Sequence, residues 1–550
     1  MKRASAKALI ALLVGGSLAV AACGGDDSGT SAQSNPSSTI TIGSSQEWPC
    51  ADWINSCAVS TYGAWAFMYQ TMPRAMDVVE AGDGWKYQAS NLLAGEPVVT
   101  PGPSPTVTYK INPKAVWSDG QPITSTDFKY TWDQIVNGKD IYDPTGYVLM
   151  SSVDDSKPDT VVVTYKTPFA PWRAMFSNYG IFPSHILQGK DRDAEMKDGY
   201  TWSGGPWKME KWDKGQSFTL VPNDAYWGEK PKVGKVVVQF SSNTTAEFQA
   251  FKSKALASIS PAADPTTMSQ IAGGLSGVTK KITPVTGNIE ALWLNNGAAP
   301  FNDVNVRKAV GYAVDRNALV KRLYGVIGVI KAANSLVPPI AAAYSNPDAW
   351  ADYKLDPAKV TQYMTAAGYA KGSDGIWAKG DQKMTFTVNA FAGDQQRALE
   401  EEILQQQFKT AGFDMKISEG SPQDTFKLMG PGNFQALLLT GTNTGLDPAT
   451  SALFMSTSIP SEANQFSGQN FWRINIPEVD TQLTIVDTSL DEKARSEAGK
   501  KADDVMAAQQ VSLPLIPVPN IGLYNSTVSG DFSFNVILGP WWNLNTWTTK

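Results

Sequence analysis

The stretch Ser203 to Phe240, SGGPWKMEKWDKGQSFTLVPNDAYWGEKPKVGKVVVQF, decides how this chain reads. A turn at Gly204-Gly205-Pro206 leads into strand-like alternation, a second turn at Lys214-Gly215-Gln216 leads into Ser217 to Val221, and Gly234 precedes the apolar run Val236 to Val238. Turn residues that bound alternating and then continuous apolar runs predict a hairpin feeding a buried strand. Between these parts, Asn223 to Gly228 (NDAYWG) is a loop. Its two rings, Tyr226 and Trp227, can fold back on the protein while Gly228 supplies an unusual backbone angle.

Working outward, 550 residues exceed one ordinary core and suit about three to four domains' worth of mass, or one large receptor with subdomains. A net charge of −6, with no long basic run after the extreme N-terminus, argues against a nucleic-acid partner. Trp is as frequent as Tyr, at 18 each, and so many indoles need a large core or stacking sites. With one His, His185, and three Cys, a zinc hydrolase site of two or three His cannot be built. A Ser-His-Asp triad would have to use His185, which follows Pro183 at an apolar helix start with no G-x-S-x-G elbow beside it. No enzyme, metal site or cofactor is expected.

At the N-terminus, Lys2, Arg3 and Lys7 precede an apolar run from Ala8 to Ala22 that is short and rich in small residues, so residues 1–22 read as a signal peptide. Its end, Leu18 to Gly24 (LAVAACG), resembles a bacterial lipobox, which implies a diacylated Cys23 as the mature N-terminus. Acyl chains contribute about 0.8 kcal/mol per buried methylene and would hold the protein on the cell membrane without a crossing helix. Residues 23–38, rich in Ser, Gly and Asp, are then a flexible tether. Ordered structure is expected from the alternating strand Thr39 to Gly43 (TITIG). In an exported compartment Cys50 and Cys57 favour a disulfide, two free thiols being the alternative.

In Val107 to Gly138 a strand ends at Ser118-Asp119-Gly120, where Asp119 takes an Asx-turn role, and Thr124 to Asp127 has the form of a capping box. Leu292 to Asn296 (LWLNN) reads as a strand, and Val306, Ala309, Val310 and Ala313 stripe a helix on which Arg307 is read as an ion-pair partner. Asp315 caps the next helix, which stops at Gly325. Farther on, Met384 to Ala390 alternate, Leu399, Ile403, Leu404 and Phe408 stripe a helix, Met415 and Ile417 alternate, and Ala436 to Leu439 form a buried strand. Strand and helix in alternation predict a parallel sheet with crossovers. Glu400, Glu401 and Glu402 point around their helix, which predicts a solvated face and no glycosidase pair.

The segment Asn223 to Gly228 resembles the "NPDYWG" segment of the family 5 extracytoplasmic solute-binding proteins, the dipeptide, oligopeptide, nickel and related receptors of ABC importers. Val107 to Gly138, Leu292 to Arg316 and Leu513 to Asn520 (LPLIPVPN) resemble further segments of that family in the same order, so the resemblance runs from Thr39 to the end. It implies an α/β chain with a two-lobed, periplasmic-binding-protein type II-like fold, a hinge, and an extra subdomain in the first lobe. On that analogy lobe I comprises residues 39–285, with the subdomain at about 65–200; lobe II comprises 286–507; and 508–550 return to lobe I. The implied activity is binding alone: a monomer captures an extracellular solute by lobe closure and delivers it to ABC permease subunits.

Peptide receptors of the family carry an Asp three residues before the Asp-Pro or Glu-Pro that follows the strand corresponding to Leu437 to Thr440. That carboxylate pairs with the peptide's α-ammonium. Counting back from Asp447-Pro448 lands on Thr444, and Gly441, Thr442, Asn443 and Gly445 are uncharged, which leaves Glu47 or Asp447 to supply the counter-charge. The expected ligand-binding residues are Glu47 and Trp48 after the first strand and Thr442, Asn443, Thr444 and Asp447 in the second lobe, with Trp293 and Trp472 as walls. Peptide leads as cargo. An oligosaccharide or other neutral polar solute is one alternative, and a non-transport envelope regulatory lipoprotein is another.

Overall fold

In the computed structural model two sheets carry the architecture, and the described residues are 35–550 apart from 60–63, 82–83, 262–263, 284–285, 443–445 and 448–449. The expected signal peptide, Cys23 and most of the tether lie outside them. The first strand is Asn35–Ser44, so regular structure starts four residues before Thr39, inside the expected tether. Its Ile40 and Ile42 are fully buried and pair with Val236 and Val238 of the parallel strand Val233–Phe240.

The hairpin predicted from Ser203 to Phe240 forms. Trp207–Asp213 runs antiparallel to Ser217–Pro222 around Gly215, whose φ of 78° is the left-handed conformation that the tight turn needs. Ser217–Pro222 then pairs antiparallel with Val233–Phe240, which becomes an interior strand of a seven-stranded sheet. In the loop between them, Asn91 donates to the Tyr226 hydroxyl at 2.6 Å and Trp227 Nε1 donates to the Asn91 carbonyl at 2.9 Å. Gly228 is required for space and not for backbone angle: a Cβ there would lie 2.3 Å from Asn91 Nδ2, and its φ is not positive.

Parallel strands need a long crossover. Between Asn35–Ser44 and Val233–Phe240 the chain builds a separate four-stranded antiparallel sheet over Val98–Thr100, Thr106–Lys110, Met150–Lys157 and Thr160–Tyr165. The helix Ser125–Asn137 packs on it, opened by the capping box of Thr124 and Asp127. Asp127 Oδ1 also accepts from the Ser184 hydroxyl at 2.6 Å, while His185 Nε2 lies 2.8 Å from Asp119 Oδ2. Ser184 is therefore committed to Asp127, and its neighbour His185 activates no serine.

The second sheet orders Asp414–Gly420, Thr385–Phe391, Ala436–Thr442, Asn288–Leu294 and Ser512–Pro517. The first three are parallel, as the alternation predicts, with the helices Gln395–Ala411 and Pro422–Met429 in the crossovers. Asn288–Leu294 and Ser512–Pro517 add antiparallel partners. The expected return to lobe I at residue 508 is corrected here. Ser512–Pro517 still belongs to the second sheet, and Asn520–Asn525 joins the first. The chain crosses at Val518-Pro519, where Pro517 and Pro519 lack the N–H that would continue a ladder. The earlier crossing lies alongside: Thr286 Oγ1 donates to the Val518 carbonyl at 2.8 Å, and Asn288 Nδ2 to Asn520 Oδ1 at 3.2 Å.

Three polar expectations change. Glu400 and Glu401 are buried, not solvated, because their helix lies against the second sheet. Arg307 makes no ion pair within hydrogen-bonding reach and donates instead to the carbonyls of Phe301 and Gln509. In the first lobe, Glu247 is buried with no hydrogen-bond partner, and burial pushes its carboxyl from 4.5 up to about 8. Between those values the folded state holds a proton that the unfolded chain releases, so stability falls as pH rises through the window. Glu247→Gln removes that penalty. Thermal melts should show the variant more stable than the parent at pH 8, by on the order of 3 kcal/mol, and equal near pH 4. A difference independent of pH would contradict the assignment.

Gly43 faces the same carboxylate. A Cβ at this position would lie 2.7 Å from Glu247 Oε1, 2.8 Å from Leu256 Cδ1 and 2.9 Å from Ile259 Cγ2. Gly43→Ala should cost about 1–3 kcal/mol by urea unfolding, the usual range for overpacking a tight core. A neutral result would mean that the first strand can shift.

Candidate ligand-binding site

Between the two sheets lies a cavity of about 610 Å³, within the range that holds small ligands. The first lobe contributes the segment after its first strand, where Asn55, Ser56 and Cys57 line the wall. The disulfide expected there is present: Cys50 and Cys57 are bonded with Cα atoms 5.8 Å apart. Asn55 Oδ1 accepts from the Cys57 N–H, and Ser56 donates to the Asp140 carbonyl, so these wall polar groups are already engaged. This side also includes Asp140, Tyr142 and the C-terminal segment Val536 to Trp541. The Trp541 ring stacks on Phe67 at 5.5 Å, and its Nε1 donates to Ser258 Oγ at 2.9 Å.

Lobe II supplies an aromatic wall of Phe391, Phe426, Phe466, Phe471 and Trp472, with Leu439, Thr440 and Gly441 behind it. The wall is stiffened from below. Trp472 lies flat on Trp293, with centroids 4.1 Å apart and planes 12° apart, and Trp293 Nε1 donates to the Leu439 carbonyl. Gly441 lets that stack approach, since a Cβ there would lie 2.7 Å from the Trp293 ring.

A charged cluster sits behind this wall. Glu290 of Asn288–Leu294 receives Arg397 on both oxygens, at 3.2 and 3.1 Å, and the hydroxyl of the wall residue Thr440. Burial alone would lower the Arg397 guanidinium, but Glu290 and Asp394 more than offset it and hold it charged. Glu400, buried beside them, is pushed far above the usual carboxylate range by burial and by Glu290. The carboxylate of Glu290 is thus consumed by its own neighbours.

The expected site residues separate into groups. Trp472 lines the cavity, and Trp293 supports it from behind. Trp48 is no wall. It is fully buried in the first-lobe core among Trp53, Phe67, Phe218 and Phe240, because the chain turns inward after the first strand. Glu47 points to the hairpin, accepting from Trp212 Nε1 at 2.7 Å and from the Gly215 N–H at 2.9 Å. Asp447 is salt-bridged to Arg495 in a second, smaller recess of about 340 Å³, beside Tyr87 and Arg173. Thr442 ends its strand opposite Asn288, and Asn443 and Thr444 lie outside the described residues. Phe426, Phe466 and Val536 to Trp541 carry no local signal of a site. Only the topology brings them together.

Residues 93–461 match the model of the bacterial extracellular solute-binding proteins, family 5 middle. The chain belongs to that family. The family is one of solute-binding proteins. This family 5 protein is 30% identical over 243 residues to the "Probable monoacyl phosphatidylinositol tetramannoside-binding protein LpqW" of Mycobacterium tuberculosis (strain CDC 1551 / Oshkosh). That match covers 42% of this chain and only 36% of the relative's length. It is 25% identical over 373 residues to the dipeptide-binding protein of Escherichia coli (strain K12), covering 66% of each. Its fold is that of the oligopeptide-binding protein AppA from Bacillus subtilis, solved with a nonapeptide: TM-score 0.82 at 18% identity, over 94% of this chain and 100% of that one. Among the described residues no helix is long and apolar enough to cross a membrane, and no cluster of His, Cys, Asp and Glu could hold a metal ion.

Proposed function

We propose that this family 5 protein is the substrate-binding lipoprotein of an ABC importer, which captures an extracellular peptide between its lobes and delivers it to membrane permease subunits. The observation that carries the reading is the cavity itself, bounded on one side by the first-lobe segments and on the other by the second sheet, with two adjacent chain crossings at its edge. A ligand that touches both walls favours the arrangement in which they face each other, and shifts that equilibrium by its differential affinity. A permease can read the resulting shape. Thr442, Asn443 and Thr444 bind the ligand in this reading, and acyl chains on Cys23 keep the receptor at the membrane.

The test is a thermal-shift screen of the protein against peptide pools, oligosaccharides and metal ions. Ligand at a hundred times its dissociation constant adds about 2.7 kcal/mol to stability, so peptide pools should raise the melting temperature visibly. A panel without any response would count against the receptor reading. The anchor is checked separately: Cys23→Ser should move the protein from the membrane fraction to the medium, and full retention would refute lipidation there.

A further inference from the structure

The cavity has a property that deepens the proposed function and rests on it: its buried walls hold no unpaired carboxylate for a peptide's ammonium. Among the described residues two charged side chains line it, Asp140 and Lys427. Both are exposed at its edge, and Lys427 is tied to Asp424 at 3.0 Å. The carboxylates that could have served are spent elsewhere. Glu47 is bonded to Trp212 and Gly215, Asp447 is paired with Arg495, and Glu290 is held behind Thr440 by Arg397.

What the walls do offer is aromatic and aliphatic surface: Phe426, Phe466, Phe471, Trp472, Trp541 and Ile537 among them. The wall amides Asn288 and Asn520 bond to each other. Trp472 lines the cavity but is only 4% exposed, its Nε1–H is buried with no partner among the described residues, and the wall offers the ligand no free charged group there. An ammonium taken into such a place would lose its water and gain no counter-charge, whereas an apolar group would gain the burial.

We infer that the part of the ligand held in this cavity is apolar and uncharged. Two sources share that chemistry: an N-blocked hydrophobic peptide and the acyl chain of a neutral lipid.

Calorimetry on the full chain carrying Cys23→Ser separates them with three probes. These are the amide of Phe-Leu-Phe-Leu with a free amine, the same peptide N-acetylated, and monodecanoylglycerol. The N-acetyl peptide or the monoacylglycerol should bind at least tenfold tighter than the free amine, and whichever does so identifies the source. Equal or tighter binding of the free amine overturns the inference and leaves the receptor reading intact, as does a loss of free-amine binding in Asp140→Asn. If none of the three binds while another member of the thermal-shift panel does, the inference falls and the receptor reading stands. If nothing binds in either experiment, both fall.

Discussion

Arg397→Ala is expected to lower the unfolding free energy by about 3–5 kcal/mol, the usual loss when one partner of a buried ion pair is removed. Glu290 and Arg397 are both almost fully buried, at 1% and 9% side-chain exposure, so the stranded Glu290 carboxylate would have little water to turn to. Glu400 lies against the same pair, and a carboxyl group cannot serve as a replacement cation. The effect should be read from urea midpoints, with Glu290→Leu/Arg397→Leu as the control. An apolar pair in the same volume can be neutral or stabilising, so the double variant should recover most of the loss. A single variant costing under about 1 kcal/mol, the range of exposed ion pairs, would show that the cluster is hydrated. Because Glu290 also accepts from Thr440 in the cavity wall, the single variant should weaken ligand binding as well.

Trp472→Ala is the second large effect, at about 3–5 kcal/mol of stability, the range for truncating a buried large aromatic. The ring is stacked on Trp293, which keeps its own hydrogen bond to Leu439 and would be left facing a hole. Trp472→Phe keeps part of the stack and should cost less than half as much, while both variants lose the unpartnered indole N–H. The binding readout is informative as well: because the Trp472 ring lines the cavity, Trp472→Ala should weaken binding of the ligand found in the thermal-shift screen, and Trp472→Phe should weaken it less. Unchanged affinity in Trp472→Ala would remove this wall from the site.

Local pattern was enough for much of the fold. The turn at Gly215, the alternation on either side of it, and the capping box at Thr124 and Asp127 are short-range features, and each forms as its residues indicate. The parallel order of three strands in the second sheet follows from strand and helix alternation alone. The two-lobed architecture came from motif resemblance, and the family match bears it out. The site was far less legible. Trp48 and Trp472 each sit beside one charged residue, Glu47 and Arg473, yet one closes the first-lobe core and the other lines the cavity. Glu400 looks like any surface glutamate until Glu290 and Arg397 are seen beside it.

The sequence by itself determined the elements, their order and the family, because hairpins, caps and helical stripes depend on residues a few positions apart. Only the tertiary structure decided where the chain returns to lobe I, which carboxylates are spent, and which rings face the cavity. Those outcomes depend on partners far away in the chain: Glu290 meets Arg397 across 107 residues, and Glu47 meets Gly215 across 168. A side chain's role as wall, brace or counter-charge is set by its neighbours in space, and the fold alone brings those neighbours to it.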